Sequence, residues 1–382
     1  MVGCVDFFES PEDEAFRLEA RKWLHANKPS EPLPSPDTPE GFAQNRAWER
    51  TLFDAEWSVV SWPKEYGGRG LGLWEWMIFE EEYFAAGLGP RAAQNGIFLL
   101  APSLFEFGTE QQKHELLPRI AGVEDMWAQG WSEPEAGSDL AGVRTYAERD
   151  EDGGGWRVYG RKIWSTRAAF CDKLFAIVRT EPGSTRHRGL SYLLIDLTAP
   201  GVSVRPVQKL GGETGFGEVT FDGAFVPDSD VLGGAGNGWK VAMATTGSER
   251  GLVLRSPGRF SAAANRLVDL YRGTPGASPS ARREVVDAWM AAEAYKLMAM
   301  RTVTTLADGG KIGAESSANK VFWSEMDVHM HETALDLLAE GAELEDPWSH
   351  GFITSMATPI FAGTNEIQRN IIAERVLGLP RG

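Results

Sequence analysis

The sequence predicts an α+β protein of several domains, helical at both ends with a β domain between them. Three observations carry this. Helix-start signals and helical spacing fill the first third. Short alternating runs separated by Gly dominate from about Met126. Helical periodicity then returns after Gly238 and persists to Leu377. No internal repeat competes with this order. The 382 residues divide into 1–124, 125–236 and 237–382, three parts of comparable size.

In the first part, Ser10-Pro11-Glu12-Asp13 supplies an N-cap, a proline at the first helical position and acids in the first turn. Phe16, Ala20, Trp23 and Leu24 follow at helical spacing. The Pro-rich stretch from Pro29 to Pro39 reads as a loop. A helix over 73–86 follows the Gly67-Gly68-Arg69-Gly70 turn, and Thr109-Glu110-Gln111-Gln112 is a capping box opening a helix that ends near Pro118. In the middle part GWRVYG, DKLFAIVR, GLSYLLID, GVSVRPV and GEVTFDG read as strands. The last part is helical, with a break at Ser256-Pro257-Gly258, a loop from Gly273 to Pro279, and a stop at Gly378 and Pro380.

Composition narrows the function. The chain is 42% hydrophobic and 24% charged, an ordinary globular balance. Lys+Arg 38 against Asp+Glu 54 gives a net charge of −16, which disfavours nucleic acid and anionic membrane surfaces as partners. Two cysteines, Cys4 and Cys171, offer no disulfide framework and fit a reducing compartment. The N-terminal residues lack the basic and apolar regions of a signal peptide, and no apolar run approaches a membrane span, so a cytoplasmic location is expected. LGGAGNGW lacks the G-x-G-x-x-G spacing and a surrounding βαβ unit, so it reads as a linking turn. His329 and His331 lie two apart on a helix and read as surface histidines. No metal site is expected.

Three segments could carry chemistry. Gln129 to Asp139 (QGWSEPEAGSD) has the Ser, Gly and Pro of a tight loop whose N–H groups and hydroxyls can meet a flavin edge or a phosphate. Lys162-Ile163-Trp164-Ser165-Thr166 ends a strand; its indole is a wall for a planar ring, and a hydroxyl two residues on falls on the same side of an extended chain. Pro359 to Arg369 places Thr364 as the cap of a final helix. Taken singly, each segment also reads as ordinary loop, core strand or helix cap.

Together, WSEPEAGSDL, GRKIWST and GTNEIQR, in this order and separation, resemble the signature of the acyl-CoA dehydrogenase family, with WPKEYGG, FGTEQQK and NIIAERVLGLPR adding to it. The tail and RHRGLSYLLID resemble the actinobacterial sterol-degradation type. The resemblance runs from about Phe16 to Pro380. It implies an N-terminal helical domain, a middle β-barrel-like domain and a C-terminal four-helix bundle. FAD would lie between the last two. It assigns Gln129, Trp131 and Ser132 to the flavin pyrimidine side, Trp164 and Thr166 to the ring, Thr364 and Glu366 to cofactor contacts, and Ser138 and Arg250 to the substrate.

Two departures from the family pattern bear on mechanism and assembly. Most members carry the catalytic glutamate immediately before the Gly-Thr of GTNEIQR, where this chain has Ala362. A smaller branch carries its base on the first long helix of the bundle, directly before an arginine. That position is Glu249, in Gly247-Ser248-Glu249-Arg250. The resemblance thus implies Glu249 as the base taking the substrate's α-proton, with the backbone N–H of Ala362 donating to the thioester oxygen. A solvated helix acid is the plainer reading of Glu249. The second departure is the lack of an R-x-x-F-G run between Arg272 and Met290, together with Asp336 and Glu340 where relatives have a Gly-rich turn. These acids are poor neighbours for a pyrophosphate. Sterol-degradation members of the family meet this as α2β2 heterotetramers, so the resemblance implies a tetramer, α2β2 with a second chain of the same family, that passes electrons to an electron-transfer flavoprotein. Two other functions stay open: a non-catalytic structural subunit, and an acyl-CoA oxidase.

Overall fold

The computed structural model describes residues 9–250 and 256–380, with side chains for 9–247 and 257–380. The chain runs helical, then β, then helical. The first helices are α1 (Pro11–Asn27), α2 (Pro39–Asp54), α3 (Leu73–Ala85), α4 (Ala101–Phe107) and α5 (Glu110–Ala121). Eight strands follow: β1 (Trp127–Gly130), β2 (Tyr146–Asp150), β3 (Gly155–Thr166), β4 (Lys173–Arg179), β5 (Leu190–Asp196), β6 (Val202–Val207), β7 (Phe216–Pro227) and β8 (Val231–Leu232). The last helices are α6 (Gly238–Arg250), α7 (Ser256–Gly273), α8 (Pro279–Ala307), α9 (Ser316–Leu338), α10 (Pro347–Ser355) and α11 (Asn365–Ile371).

Local chemistry accounts for most of these limits. Ser10 and Thr109 each make both halves of a capping box, with Asp13 and Gln112 as the answering side chains. Helix α5 does not stop at Pro118 but continues to Ala121. A proline in the last turn removes only one intrahelical bond, and the burial of Leu117, Ile120 and Ala121 holds the turn. Pro257 lies in the first turn of α7, where its missing N–H is not needed, so that Pro-Gly pair opens a helix.

The chain forms two compact units. One comprises Leu33–Gly70 and Pro90–Glu249 and contains the whole sheet. Its strand order is β6-β7-β3-β2-β4-β5-β8, with β1 parallel to β4. β4 and β5 are buried almost throughout, so their apolar runs are continuous, whereas β6 at the end of the path alternates. Ala147, Val158, Leu174, Ala176, Leu193, Ile195, Val219 and Phe221 form the core. The sequence read Gln129 and Gly130 as loop. Both belong to β1, paired with Phe175 and Ala176, and a Cβ at Gly130 would meet the Leu174 side chain at 2.6 Å.

The other unit is assembled from Met1–Pro32, Leu71–Gly89 and Arg250–Gly382. Here α3 packs against α1, α7 and α8. Three successive acids of α3, Glu80, Glu81 and Glu82, are buried. Arg17 bonds Glu81 and Glu82 at 2.9 Å, Arg21 bonds Glu82 at 2.7 Å, and Lys296 of α8 reaches Glu81 at 3.0 Å. Gly258 of α7 lies so close to α3 that a Cβ there would come within 2.7 Å of the Glu81 Cα. His331, read from the sequence as a surface residue, is mostly covered. Its Nδ1 lies 2.8 Å from the Asp327 carbonyl and its ring meets Trp348 edge-on, while His329 is exposed. Burial pulls the His331 pKa below the ordinary histidine value, with Asp327 opposing.

Candidate active site

The sequence-predicted residues fall in both units. In the sheet-containing unit, the ends of β1 and β3 are stitched together. The Ile163 N–H donates to the Ser132 carbonyl at 2.9 Å, and Glu133 and Ala136 exchange backbone hydrogen bonds at 2.8 and 3.1 Å, closing the turn after Ser132. Gln129, Trp131, Ser132, Trp164 and Thr166 are thereby brought to neighbouring strand ends. Ser138 sits farther along the same loop and is exposed.

The backbone is irregular where Trp164 stands. The β3–β7 register breaks between Lys162 and Ser165, and Trp164 has φ +60. A bulky residue in that region carries roughly 1–2 kcal/mol of strain. The bulge also replaces the simple alternation expected from the sequence. It turns the indole outward, 57% exposed, with Phe216 edge-on against it. Close by, the buried indole Nε1 of Trp131 and the buried hydroxyl of Ser165 find no hydrogen-bond partner among the described residues. An exposed aromatic face on a strained bulge, with orphaned buried donors in the same stitched segments, suits a flat ligand with polar edges.

Two buried charges underlie this arrangement, and sequence reasoning gave neither a role. The fully buried Lys162 ammonium donates to Glu133 at 2.7 Å, to the Ile177 carbonyl at 2.7 Å and to the Trp131 carbonyl at 3.3 Å. Glu133 also accepts the N–H groups of Arg144 at 2.6 Å and Thr145 at 3.0 Å. Burial pushes the Glu133 carboxyl up, but Lys162 and the two backbone donors outweigh it and the net shift is downward. Burial pulls the Lys162 pKa below its ordinary value, with Glu133 opposing, but three acceptors around one amine call for all three hydrogens of the ammonium, and on that geometry the pair is ionised. The signal available was two opposite charges inside two segments already marked as functional.

Glu249 lies in the last turn of α6, and its side chain, with that of Arg250, is outside the described residues. The helix itself is well anchored. Gly238 sits against the Ser191 backbone, where a Cβ would meet it at 2.4 Å. Val241, Ala242 and Thr245 are fully buried. The Thr245 hydroxyl lies 2.7 Å from that of Ser103 on α4 and 3.3 Å from that of Tyr192 on β5. Positions 238, 241, 242 and 245 form one helical stripe, and residue 249 continues it one turn on.

In the other unit, Ala362 and Gly363 both have positive φ, +57 and +78. The Gln368 amide, buried on α11, donates to the Ala362 carbonyl at 3.1 Å and holds the turn. Thr364 caps α11 by accepting the Ile367 N–H at 3.2 Å. Glu366 is exposed, and its own backbone N–H and the Thr364 hydroxyl hold its carboxyl below the usual range. Asn365 is buried and receives Lys320 at 2.8 Å and Ser324 at 3.0 Å. Among the described residues no cluster of His, Cys, Asp or Glu could hold a metal ion, and no helix is long and apolar enough to cross a membrane.

Comparison with known proteins places nearly the whole chain in one family. Residues 10–124 match the family model of the acyl-CoA dehydrogenase N-terminal domain, 128–224 that of the middle domain and 236–377 that of the C-terminal domain. The chain is 39% identical over 391 residues to acyl-CoA dehydrogenase IpdE1 of Mycolicibacterium smegmatis, covering 97% of this chain and 98% of that protein. It is similar in structure to the Tcur3481-Tcur3483 steroid ACAD, with a TM-score of 0.87 and 28% identity, covering 99% of this chain and 100% of that one. It is similar also to the ChsE4-ChsE5 complex from Mycobacterium tuberculosis, with a TM-score of 0.84 and 28% identity, covering 99% of this chain and 100% of that one. With three successive domain models matched and near-complete overlap with named relatives, this chain is an oxidoreductase that belongs to the acyl-CoA dehydrogenase family.

Proposed function

We propose that the chain dehydrogenates an acyl-CoA thioester between its α and β carbons, with FAD as cofactor and Glu249 as the base. Gln129, Trp131, Ser132, Trp164 and Thr166 would hold the flavin from the sheet, and Thr364 and Glu366 from the last helix. FAD, when bound, supplies the hydride acceptor for the β-carbon. The observation that carries the cofactor reading is the outward Trp164 on its strained bulge beside the unpartnered Trp131 and Ser165 donors.

The chain's own residues would do the rest. Glu249, one turn beyond the buried Thr245, would take the α-proton. A carboxylate in a dry site has its pKa raised toward the working range. At Ala362 a methyl group stands where most relatives carry an acid, so no second carboxylate would repel the developing enolate. The Ala362 N–H, in its positive-φ turn, would donate to the thioester oxygen as negative charge grows there. Ser138 and Arg250 would hold the CoA portion. The steroid ACAD likeness supports a bulky, ring-containing acyl group. The ChsE4-ChsE5 likeness, to a complex of two named chains, supports pairing with a second chain of the family, and α2β2 is the arrangement proposed for it. Electrons would pass onward to an electron-transfer flavoprotein.

The test is anaerobic mixing of the FAD-loaded protein with a panel of linear, branched and steroid-derived CoA thioesters while following flavin absorbance. Bleaching by at least one class, steroid-derived first, is expected. A loaded protein that no thioester bleaches would refute the reading.

A further inference from the structure

The Lys162–Glu133 pair is buried beneath the candidate flavin segments, and packing alone does not account for it. Replacing a buried ion pair by apolar groups of similar volume is often neutral or stabilising, so the charges are weak evidence of a stability role. Their hydrogen bonds are more informative. The Lys162 ammonium donates to the Trp131 carbonyl at 3.3 Å, and that carbonyl belongs to the same peptide group as the Ser132 N–H. A cation drawing on the carbonyl end polarises the peptide and makes its N–H a stronger donor. The Ser132 carbonyl in turn accepts from Ile163 at 2.9 Å, one residue before Trp164. Glu133 fixes the other side of the same turn through Arg144 and Thr145. One ammonium therefore sets the depth of the Trp131–Ser132 segment and its register against the Trp164 bulge. It also sets the donor strength of one N–H in that segment.

We propose that Lys162 and Glu133 are positioning residues for the flavin: the ammonium acts through the Trp131–Ser132 peptide to orient and polarise the N–H that faces the cofactor's pyrimidine side. This rests on the flavin reading above. No atom of the pair needs to touch the ring. Reduction of a flavin places negative charge on its pyrimidine side, so a more strongly polarised donor there favours the reduced form and raises the reduction potential.

The test uses the full chain, in the assembly in which it is purified, titrated with FAD and then with a chemical reductant in the absence of substrate. The double variant Lys162→Met with Glu133→Gln removes both charges while keeping volume, so neither is left buried without its partner. It is expected to unfold within a few degrees of wild type, to bind FAD about tenfold or more weakly, and to hold its flavin at a lower potential. Lys162→Gln in a Glu133→Gln background keeps an amide donor and leaves neither charge buried alone. It is expected to retain FAD with the potential still lowered, which a merely structural role would not do. Unchanged FAD affinity and unchanged potential in a folded Lys162→Met, Glu133→Gln variant would overturn the proposal, as would an unchanged potential in the Lys162→Gln, Glu133→Gln variant should the first not fold. Wild-type protein that takes up no FAD in any assembly would instead defeat the cofactor reading itself.

Discussion

Trp164 combines strain with exposure, and the two make separable predictions. Glycine adopts φ +60 freely, so Trp164→Gly should leave the melting temperature of the FAD-free protein unchanged or higher, while FAD affinity falls. Calorimetry and flavin titration check this; a variant that loses stability but keeps its affinity would make Trp164 a packing residue. Glu249→Gln should leave FAD in place and cut turnover by about 10²–10⁴-fold, because the α-proton would have no base. Turnover above roughly a tenth of wild type in a steady-state assay would remove Glu249 from the mechanism. Sequence motifs marked Trp131, Ser132 and Trp164 as candidates, since residue type and spacing were enough to single them out. Lys162 and Glu133 escaped because their pairing crosses 29 positions and depends on how deeply both segments sink. The positive φ at Ala362 escaped for a related reason: alanine gives no sign of it, and the turn is held by the Gln368 amide and by the Asn365 N–H donating to the Pro359 carbonyl.

Helix α6 carries Glu249, and its rotation is set four residues earlier. Thr245→Val would leave the buried Ser103 hydroxyl without that partner, costing about 1–2 kcal/mol. The helix would also lose the contact fixing its azimuth, so turnover should fall more than FAD affinity. Thermal unfolding and steady-state kinetics separate the two effects. The loop before α2 gives a pH prediction. Asp37 joins Arg167, at 2.7 Å, to Lys209, tying the Pro-rich stretch to the strand end just past Thr166. Burial pushes the Asp37 carboxyl up, yet Arg167 and Lys209 outweigh it and its pKa lies below the ordinary value. A depressed pKa stabilises the fold above about pH 3.9, the unfolded value, and that contribution is lost as pH falls through the folded value. Asp37→Asn should therefore be less stable at neutral pH, by about 3 kcal/mol. It should also show a shallower loss of stability below pH 4 in urea titrations. At this scale the strands were legible because period-2 runs with Gly boundaries have few alternative readings. Strand β1 and the turn of α5 beyond Pro118 were not, because partners distant in sequence override local propensity there.

The assembly prediction follows from charge and apolar surface taken together. The chain carries a net −16, and exposed Asp336 and Glu340 stand at the C-terminal end of α9, where the helix dipole is also negative. A pyrophosphate is poorly received there. In the same unit Val286, Trp289, Met290 and Leu297 of α8 and Met356, Ile360, Phe361, Leu377 and Leu379 near the C-terminus are exposed. Purified alone, the chain should hold FAD incompletely, and co-expression with a second family member should restore one flavin per pair of chains. Sedimentation and flavin stoichiometry check this; a homotetramer with one tightly held FAD per subunit would contradict it. The discontinuity of the α3 unit has a consequence for synthesis. Helix α3 buries Trp76, Met77, Ile78, Phe79, Tyr83 and Phe84, yet α7 and α8, which cover it, leave the ribosome only after the whole sheet has been made. At 5–20 residues per second this interval is roughly 10–40 s. During it the nascent chain displays an aromatic helix still lacking α7 and α8, a target for chaperones that bind apolar segments during translation.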